Sequence, residues 1–207
     1  MLYEYIRKNY ADGEPIFLED IQIDGMNRPN FHQQIKTLTD NGKIVRCGKG
    51  IYCLPKRTRL NTVAGPSPET IAQYKYISRH GKTYGYYSGH TFANLMGLSD
   101  QVPMKKEIVS NNMAAIVREI TIGQQTFIVR RTNVPISEGN VKALQLLDLL
   151  KNLGAYLDGD YDEAREKIRG YCLSNGITRT DIDKYIREYP DSTFRNFYEM
   201  RLYDILM

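Results

Sequence analysis

The sequence predicts an α+β fold: an N-terminal helical module closed by a hairpin, then a mixed α/β domain that ends in an all-helical tail. Three features carry that expectation. Apolar residues recur at helical spacing up to Asn41-Gly42. A two-stranded ribbon pattern, NGKIVRCGKGIYCLP over 41–55, follows at once. Strand-like alternation is confined to 84–87 and 107–131, and after Val141 only helical periods remain.

Leu2, Tyr5, Ile6 and Tyr10 recur at helical spacing, so a first helix is expected from Leu2 to Tyr10, stopped by Asp12-Gly13. Pro15-Ile16-Phe17 is a short extended piece. Leu18 to Ile23 suits a brief second helix closed by Asp24-Gly25. Asn27 offers an N-cap, with Pro29 tolerated in the first turn, for a third helix from Arg28 to Asp40. Asn41-Gly42 ends it. Phe31, Ile35 and Leu38 form its buried stripe. Asn30, Gln33, Lys36 and Thr37 face the other way, with His32 and Gln34 on the flanks.

Three helices followed by a ribbon is the order of a winged helix-turn-helix, here residues 1–60. In such a module the third helix enters a DNA major groove. Asn30 and Gln33 are of the type that makes bidentate contacts to adenine, and Thr37 donates, accepts or touches a thymine methyl. Arg28, Lys36, Lys43 and Arg46 would supply charge toward the phosphates. Lys49, at a tip loosened by Gly48 and Gly50, is placed to reach a phosphate or the minor groove. Lys56, Arg57 and Arg59 continue the basic run. The same order also serves modules used only for protein contact; the polar, mostly uncharged outer face and the basic wing favour DNA.

Residues 61–68 (NTVAGPSP) read as a linker and 69–207 as a second domain. That domain is expected to hold a helix over Glu69–Arg79, a strand over Tyr84–Tyr87, and a helix over His90–Met96. Strands follow at Glu107–Ser110, Arg118–Ile122 and Thr126–Arg131, the last two joined at Gly123-Gln124. Val141 to Leu153 reads as an amphipathic helix with Leu144, Leu147, Leu149 and Leu150 on one face. Helices over Asp162–Asn175, Thr180–Glu188 and Ser192–Leu206 complete the tail.

With 207 residues, 42% of them hydrophobic, the chain buries a sizeable core as one large or two small domains. It has no apolar run long enough for a membrane span and no signal-peptide stretch at its start, so a cytoplasmic protein is expected. Net charge is a mild +4, but it is unevenly spread. Met26 to Leu60 carries eight Lys/Arg against one Asp, whereas Val141 to Met207 carries ten against twelve Asp/Glu. A basic segment of that kind attracts polyanions through counterion release.

Catalytic, metal and cofactor signals are weak. The three cysteines, Cys47, Cys53 and Cys172, show no C-x-x-C spacing and fit a reducing compartment. Cys47 and Cys53 are expected to face each other across the ribbon as thiols rather than as a bridge. Ser88-Gly89-His90 does not by itself give triad geometry. Gly48-Lys49-Gly50 lacks the spacer of a phosphate loop. Asp158, Asp160, Asp162 and Glu163 lack the glycine and the closing Glu of a calcium loop, and read as a solvated helix start. No enzyme and no cofactor is therefore expected. Of the sixteen tyrosines, those in the tail suggest a partner surface as a set.

Two stretches resemble a known family. FHQQIKTLTDNGKIVRCGKGIYCLP is similar to the winged-helix signature of AbiE-type antitoxins, a helix leading to G-x-[IL]-x-R-x-x-[KR]-G-[IV]-Y. TYGYYSGHTFANLMGLSDQVPMKKEIVSNN resembles the core segment that follows it there, and REITIGQQTFIVRR the next strand pair. The likeness runs from Met1 to Leu150. It implies the antitoxin of a type IV toxin–antitoxin, or abortive infection, system. Such an antitoxin also represses its own operon by binding inverted repeats in double-stranded DNA, and it counteracts a nucleotidyltransferase toxin with or without direct contact. By position, the DNA-binding surface carries over to Arg28, Asn30, Gln33, Lys36, Thr37, Arg46 and Lys49, and two copies, as a homodimer on DNA, would cover the two half-sites. The alternatives are a winged-helix transcription regulator whose second domain senses a small ligand, an enzyme such as a nuclease built on Glu107 or Glu119 with Lys105 and a metal, and an interaction adaptor with no DNA role.

Overall fold

The computed structural model describes residues 1–57 and 63–204, and the fold is mixed α+β. It divides into two compact units, Met1–Ile71 and Ala72–Met207.

In the first unit, α1 (Leu2–Asn9) buries Leu2 and Ile6 and gives way at Tyr10 to extended backbone. β1 (Ile16–Phe17) is buried throughout. The second helix expected over Leu18–Ile23 is only a 3-10 turn at Leu18–Asp20, after which Ile21 is extended. β-Branched Ile21 and Ile23, with Asp24-Gly25 next in line, leave too few residues to repay the cost of nucleating an α-helix. α2 (Arg28–Asp40) starts where Asn27 Oδ1 accepts from the Asn30 N–H at 2.9 Å, with Pro29 in its first turn. Gly42, at φ +66°, turns the chain out of the helix so that the Lys43 N–H donates to the Leu38 carbonyl.

β2 (Val45–Gly48) and β3 (Ile51–Cys53) form the ribbon, and β1 pairs with the far side of β3, giving the order β1-β3-β2. Ile16 opposes Tyr52 and Phe17 opposes Ile51. The β2–β3 register shifts between Arg46 and Gly48, which places Cys47 in a bulge. Leu2, Ile6, Ile16, Ile21, Ile35, Leu38, Ile44 and Leu54 close a single core under these elements. The linker expected over 61–68 lies partly outside the described residues (58–62). Of the rest, β5 (Val63–Ala64) pairs with β4 (Lys56–Arg57), and α3 (Pro68–Tyr76) begins at Pro68.

In the second unit α3 ends early, and a small hairpin of β6 (Ser78–Arg79) and β7 (Lys82–Thr83) replaces its expected last turn. His80 and Gly81 at its tip both take positive φ. A four-stranded sheet follows in the order β10-β11-β9-β8, made of β8 (Gly85–Tyr87), β9 (Lys105–Ser110), β10 (Val117–Ile122) and β11 (Gln125–Arg131). β9 and β11 run parallel; the other neighbours are antiparallel. α4 (Gly89–Leu95) packs beside β9. Phe127 and Val129 alternate inward from β11 onto Ala72, Tyr76 and Ile108.

The helical tail comprises α5 (Val141–Lys151), α6 (Leu153–Tyr156), α7 (Tyr161–Ser174), α8 (Arg179–Tyr185) and α9 (Asp191–Glu199). The expected amphipathic helix at 141–153 is instead buried around its circumference, polar Gln145 and Asp148 included. α8, α9, α4 and β8 all contact it, and of its residues only Lys142 is exposed. The tyrosines of the tail mostly serve this core. Tyr156 is buried, and Tyr171, Tyr185, Tyr189 and Tyr203 pack against it. Tyr161 and Tyr198 are exposed. Of the last expected helix, residues 205 and 206 lie outside the described residues.

Candidate nucleic-acid interface

All eight residues singled out from the sequence, Arg28, Asn30, Gln33, Lys36, Thr37, Lys43, Arg46 and Lys49, are exposed. They fall into three groups. Asn30, Gln33 and Thr37 stand at i, i+3 and i+7 on α2 and line one open groove of about 350 Å³ with Met1 and with Tyr3 of the neighbouring α1. Within it Gln34 Nε2 donates to Asn30 Oδ1 at 3.1 Å, and Thr37 Oγ1 donates back to the Gln33 carbonyl at 3.0 Å. Lys43 joins this group: its ammonium lies 4.9 Å from the centre of the Tyr3 ring, a cation–π distance. The groove therefore combines uncharged hydrogen-bonding side chains with a cation at its margin.

Arg28 belongs elsewhere. With His32 it borders a second depression on the opposite flank of α2, shared with Glu19 and Asp24. At 100° per residue, Lys36 projects between the two flanks, on the side away from buried Ile35 and Leu38, and exposed Asp40 shares that side. The acidic neighbours of Arg28 leave no signal in a helical wheel of α2, which does not show what the 18–26 segment lays beside it.

Arg46 and Lys49 form the third group, on the ribbon. Arg46 sits on the edge strand β2, and its Nε donates to the Gly48 carbonyl at 3.2 Å. Lys49 and Gly50 make the two-residue tip, where Gly50 takes φ +71°. The tip is tied down, because the Leu18 N–H donates to the Gly50 carbonyl at 3.0 Å. Cys47 and Cys53 are both free thiols with Sγ atoms 3.3 Å apart. Cys47 donates to Cys53, which holds the Cys53 thiol below the ordinary thiol range, while that hydrogen bond and burial push Cys47 up.

The second unit holds a polar cluster that no motif announced. Arg130 Nη2 donates to the buried Ser88 Oγ at 2.9 Å and lies 3.4 Å from Glu107 Oε2 and 3.6 Å from Asp148 Oδ2. Lys151 Nζ donates to Asp148 Oδ1 at 2.7 Å. Glu107 Oε1 in turn accepts from the His90 N–H at 3.0 Å. Gly89 sits against that carboxylate: a Cβ there would fall 2.2 Å from Glu107 Oε1, and its φ of +55° also favours glycine. Ser88 thus pairs with a guanidinium, while the His90 ring packs edge-on against Tyr156, 4.8 Å between centroids. One side of the cluster opens on a cavity of about 340 Å³ walled by Tyr86, Arg130, Asp148, Lys151 and Tyr189. Burial pushes both tyrosine hydroxyls well above their ordinary range.

The carboxylates considered for a nuclease do not share a place. Glu107 is committed to Arg130 and α4, and Glu119 pairs with Lys105 at 2.6 Å. Ile128 of β11 stands between them in the sheet register. Of the acidic run near α7, Asp158 accepts from the Asp100 N–H, Asp162 pairs with Arg165, and Glu163 pairs with Lys167.

Comparison with known proteins gives one family. The chain matches DUF6088, described as a family of unknown function, over residues 3–171. No curated protein matches it. Among the described residues no helix is long and apolar enough to cross a membrane.

Proposed function

The chain belongs to the DUF6088 family, and we propose that this member is a winged-helix, DNA-binding autorepressor that serves as the antitoxin of a type IV toxin–antitoxin system. The observation that carries the DNA half of this reading is the groove beside α2. Asn30, Gln33 and Thr37 line it in one exposed row, with Lys43 at its edge. Amide and hydroxyl side chains there suit base edges, and cations suit phosphates. The order β1-β3-β2 and the Lys49 tip support a short wing. Arg28, exposed but bordering a depression shared with Glu19 and Asp24, is the weakest of the eight as a phosphate contact.

The antitoxin half rests on the resemblance of the helix–ribbon and Tyr-x-Ser-Gly stretches, and its partner is a nucleotidyltransferase toxin. Co-expression with the product of the adjacent reading frame tests it. Restored growth in the presence of a toxic nucleotidyltransferase supports the assignment, and a neighbour that is not toxic, or toxicity unrelieved by this chain, removes it. A second reading, a regulator whose second unit senses a small ligand, draws on the cavity beside Arg130 and Tyr189. It predicts that operator affinity changes with a metabolite extract, in the absence of any toxin.

A further inference from the structure

We infer that Cys47 and Cys53 are an oxidative modification site: in the folded chain they form a reversible intramolecular disulfide that reshapes the β2–β3 ribbon. Three observations converge. First, strand parity and the bulge put both side chains on one face. Arg46 opposes Tyr52 and Val45 opposes Cys53, so Cys47 and Cys53 are diagonal neighbours, and the extra residue at Cys47 swings its sulfur toward β3. The sulfurs lie 3.3 Å apart, so closing to a bond of about 2.0 Å needs a shift of roughly an ångström. Second, the pair is reachable from one side only: Cys47 is half-buried and Cys53 fully buried. Third, Gly65 lies over both sulfurs, where a side-chain Cβ would come within 3.4 Å of Cys47 Sγ. Gly65 brings no side chain of its own against the two sulfurs.

The chemistry balances with a peroxide as oxidant. The two thiols give up two protons and two electrons as the S–S bond forms, and the O–O bond of the peroxide breaks to yield two waters. Cys47 donates its hydrogen to Cys53, so the two sulfurs already face each other, and half-buried Cys47 is the one the oxidant can reach. The bond then draws the bulge toward β3. Arg46 and Lys49 flank Cys47 in sequence, and the Arg46 Nε contact to the Gly48 carbonyl spans it. Both cations are therefore displaced. The effect on DNA affinity rests on the DNA-binding reading; the disulfide itself does not.

The test uses the full reduced chain treated with hydrogen peroxide, denatured in an alkylating agent and weighed. The expected result is a chain that carries one alkyl group, on Cys172, where the reduced chain carries three, and that is otherwise about 2 Da lighter. A linked Cys47–Cys53 peptide should appear, and dithiothreitol should reverse it. The C172S chain should behave the same way, and C47S should not lose the mass. Three alkylated cysteines after oxidation, or linkage through Cys172, would overturn the inference. Duplex binding by the two forms then separates the claims. Binding several-fold weaker in the oxidised form supports a reshaped ribbon. Equal binding overturns that reshaping. Binding by neither form counts against the DNA reading and leaves the disulfide standing.

Discussion

The backbone N–H of Leu18 donates to the carbonyl of Gly50 across 3.0 Å, fastening the ribbon tip to the end of β1. One hydrogen bond thus fixes where Lys49 can be, because Lys49 immediately precedes the anchored residue. Gly50 holds φ +71°, which a side chain tolerates poorly although the space around it is open. Replacing Gly50 with Ala should cost about 1 kcal/mol through backbone strain alone, read from urea unfolding followed by circular dichroism. A neutral result would show that the tip relaxes freely and is not held by this contact.

Lys49 itself is exposed at the tip. K49A is expected to leave unfolding unchanged, to weaken binding to specific and random duplexes alike, and to flatten the salt dependence by about one in log–log slope. Titration by fluorescence anisotropy at several salt concentrations measures this. An unchanged slope would place Lys49 away from the phosphates.

The Arg130 cluster is structural in the first instance. R130M removes the cation shared by Ser88, Glu107 and buried Asp148, and should destabilise the chain by about 3 kcal/mol in chemical denaturation. G89A drives a Cβ into the Glu107 carboxylate and should be at least as damaging. If both unfold normally, the cluster is held for a ligand in the adjoining cavity rather than for the fold.

Thr178 and Asp181 form a reciprocal capping box at the start of α8. The Thr178 hydroxyl and N–H both donate to Asp181 Oδ2, at 2.7 and 2.9 Å, and hold that carboxyl below its ordinary range. A depressed carboxyl contributes stability that is present above its unfolded value and lost as pH falls through its folded one. T178A should therefore cost about 1 kcal/mol near neutral pH, and the gap to the parent should narrow below about pH 4. Urea midpoints across that range check it; a gap that widens in acid would contradict the sign.

Much of the architecture was legible because it depends on local signals. The Asn27 cap, Pro29 and Asn41-Gly42 bound α2 in the sequence as they do in the structure. Alternation located β9, β10 and β11 within a residue or two. What stayed hidden depends on residues distant in sequence. The burial of α5 on every side follows from α8 and α9 packing across it, which no window of thirteen residues reveals. Ser88, Glu107, Arg130 and Asp148 come from four separate elements, so their meeting leaves no spacing to find. The split of the α2 residues into two flanks depends on what α1 and the 18–26 segment place beside them. In the β2–β3 ribbon, parity placed the two cysteines together; the bulge that brings their sulfurs to 3.3 Å was not announced.

The most direct test of the central claim compares the parent chain with an N30A/Q33A variant on two duplexes, one carrying the inverted repeat upstream of its own reading frame and one random. The account predicts that the parent prefers the repeat, and that the variant loses roughly 1–3 kcal/mol of that preference per altered base contact while its random-duplex affinity and salt slope hold. If the parent shows no salt-dependent duplex binding, or if the variant weakens both duplexes equally, the groove beside α2 does not read DNA.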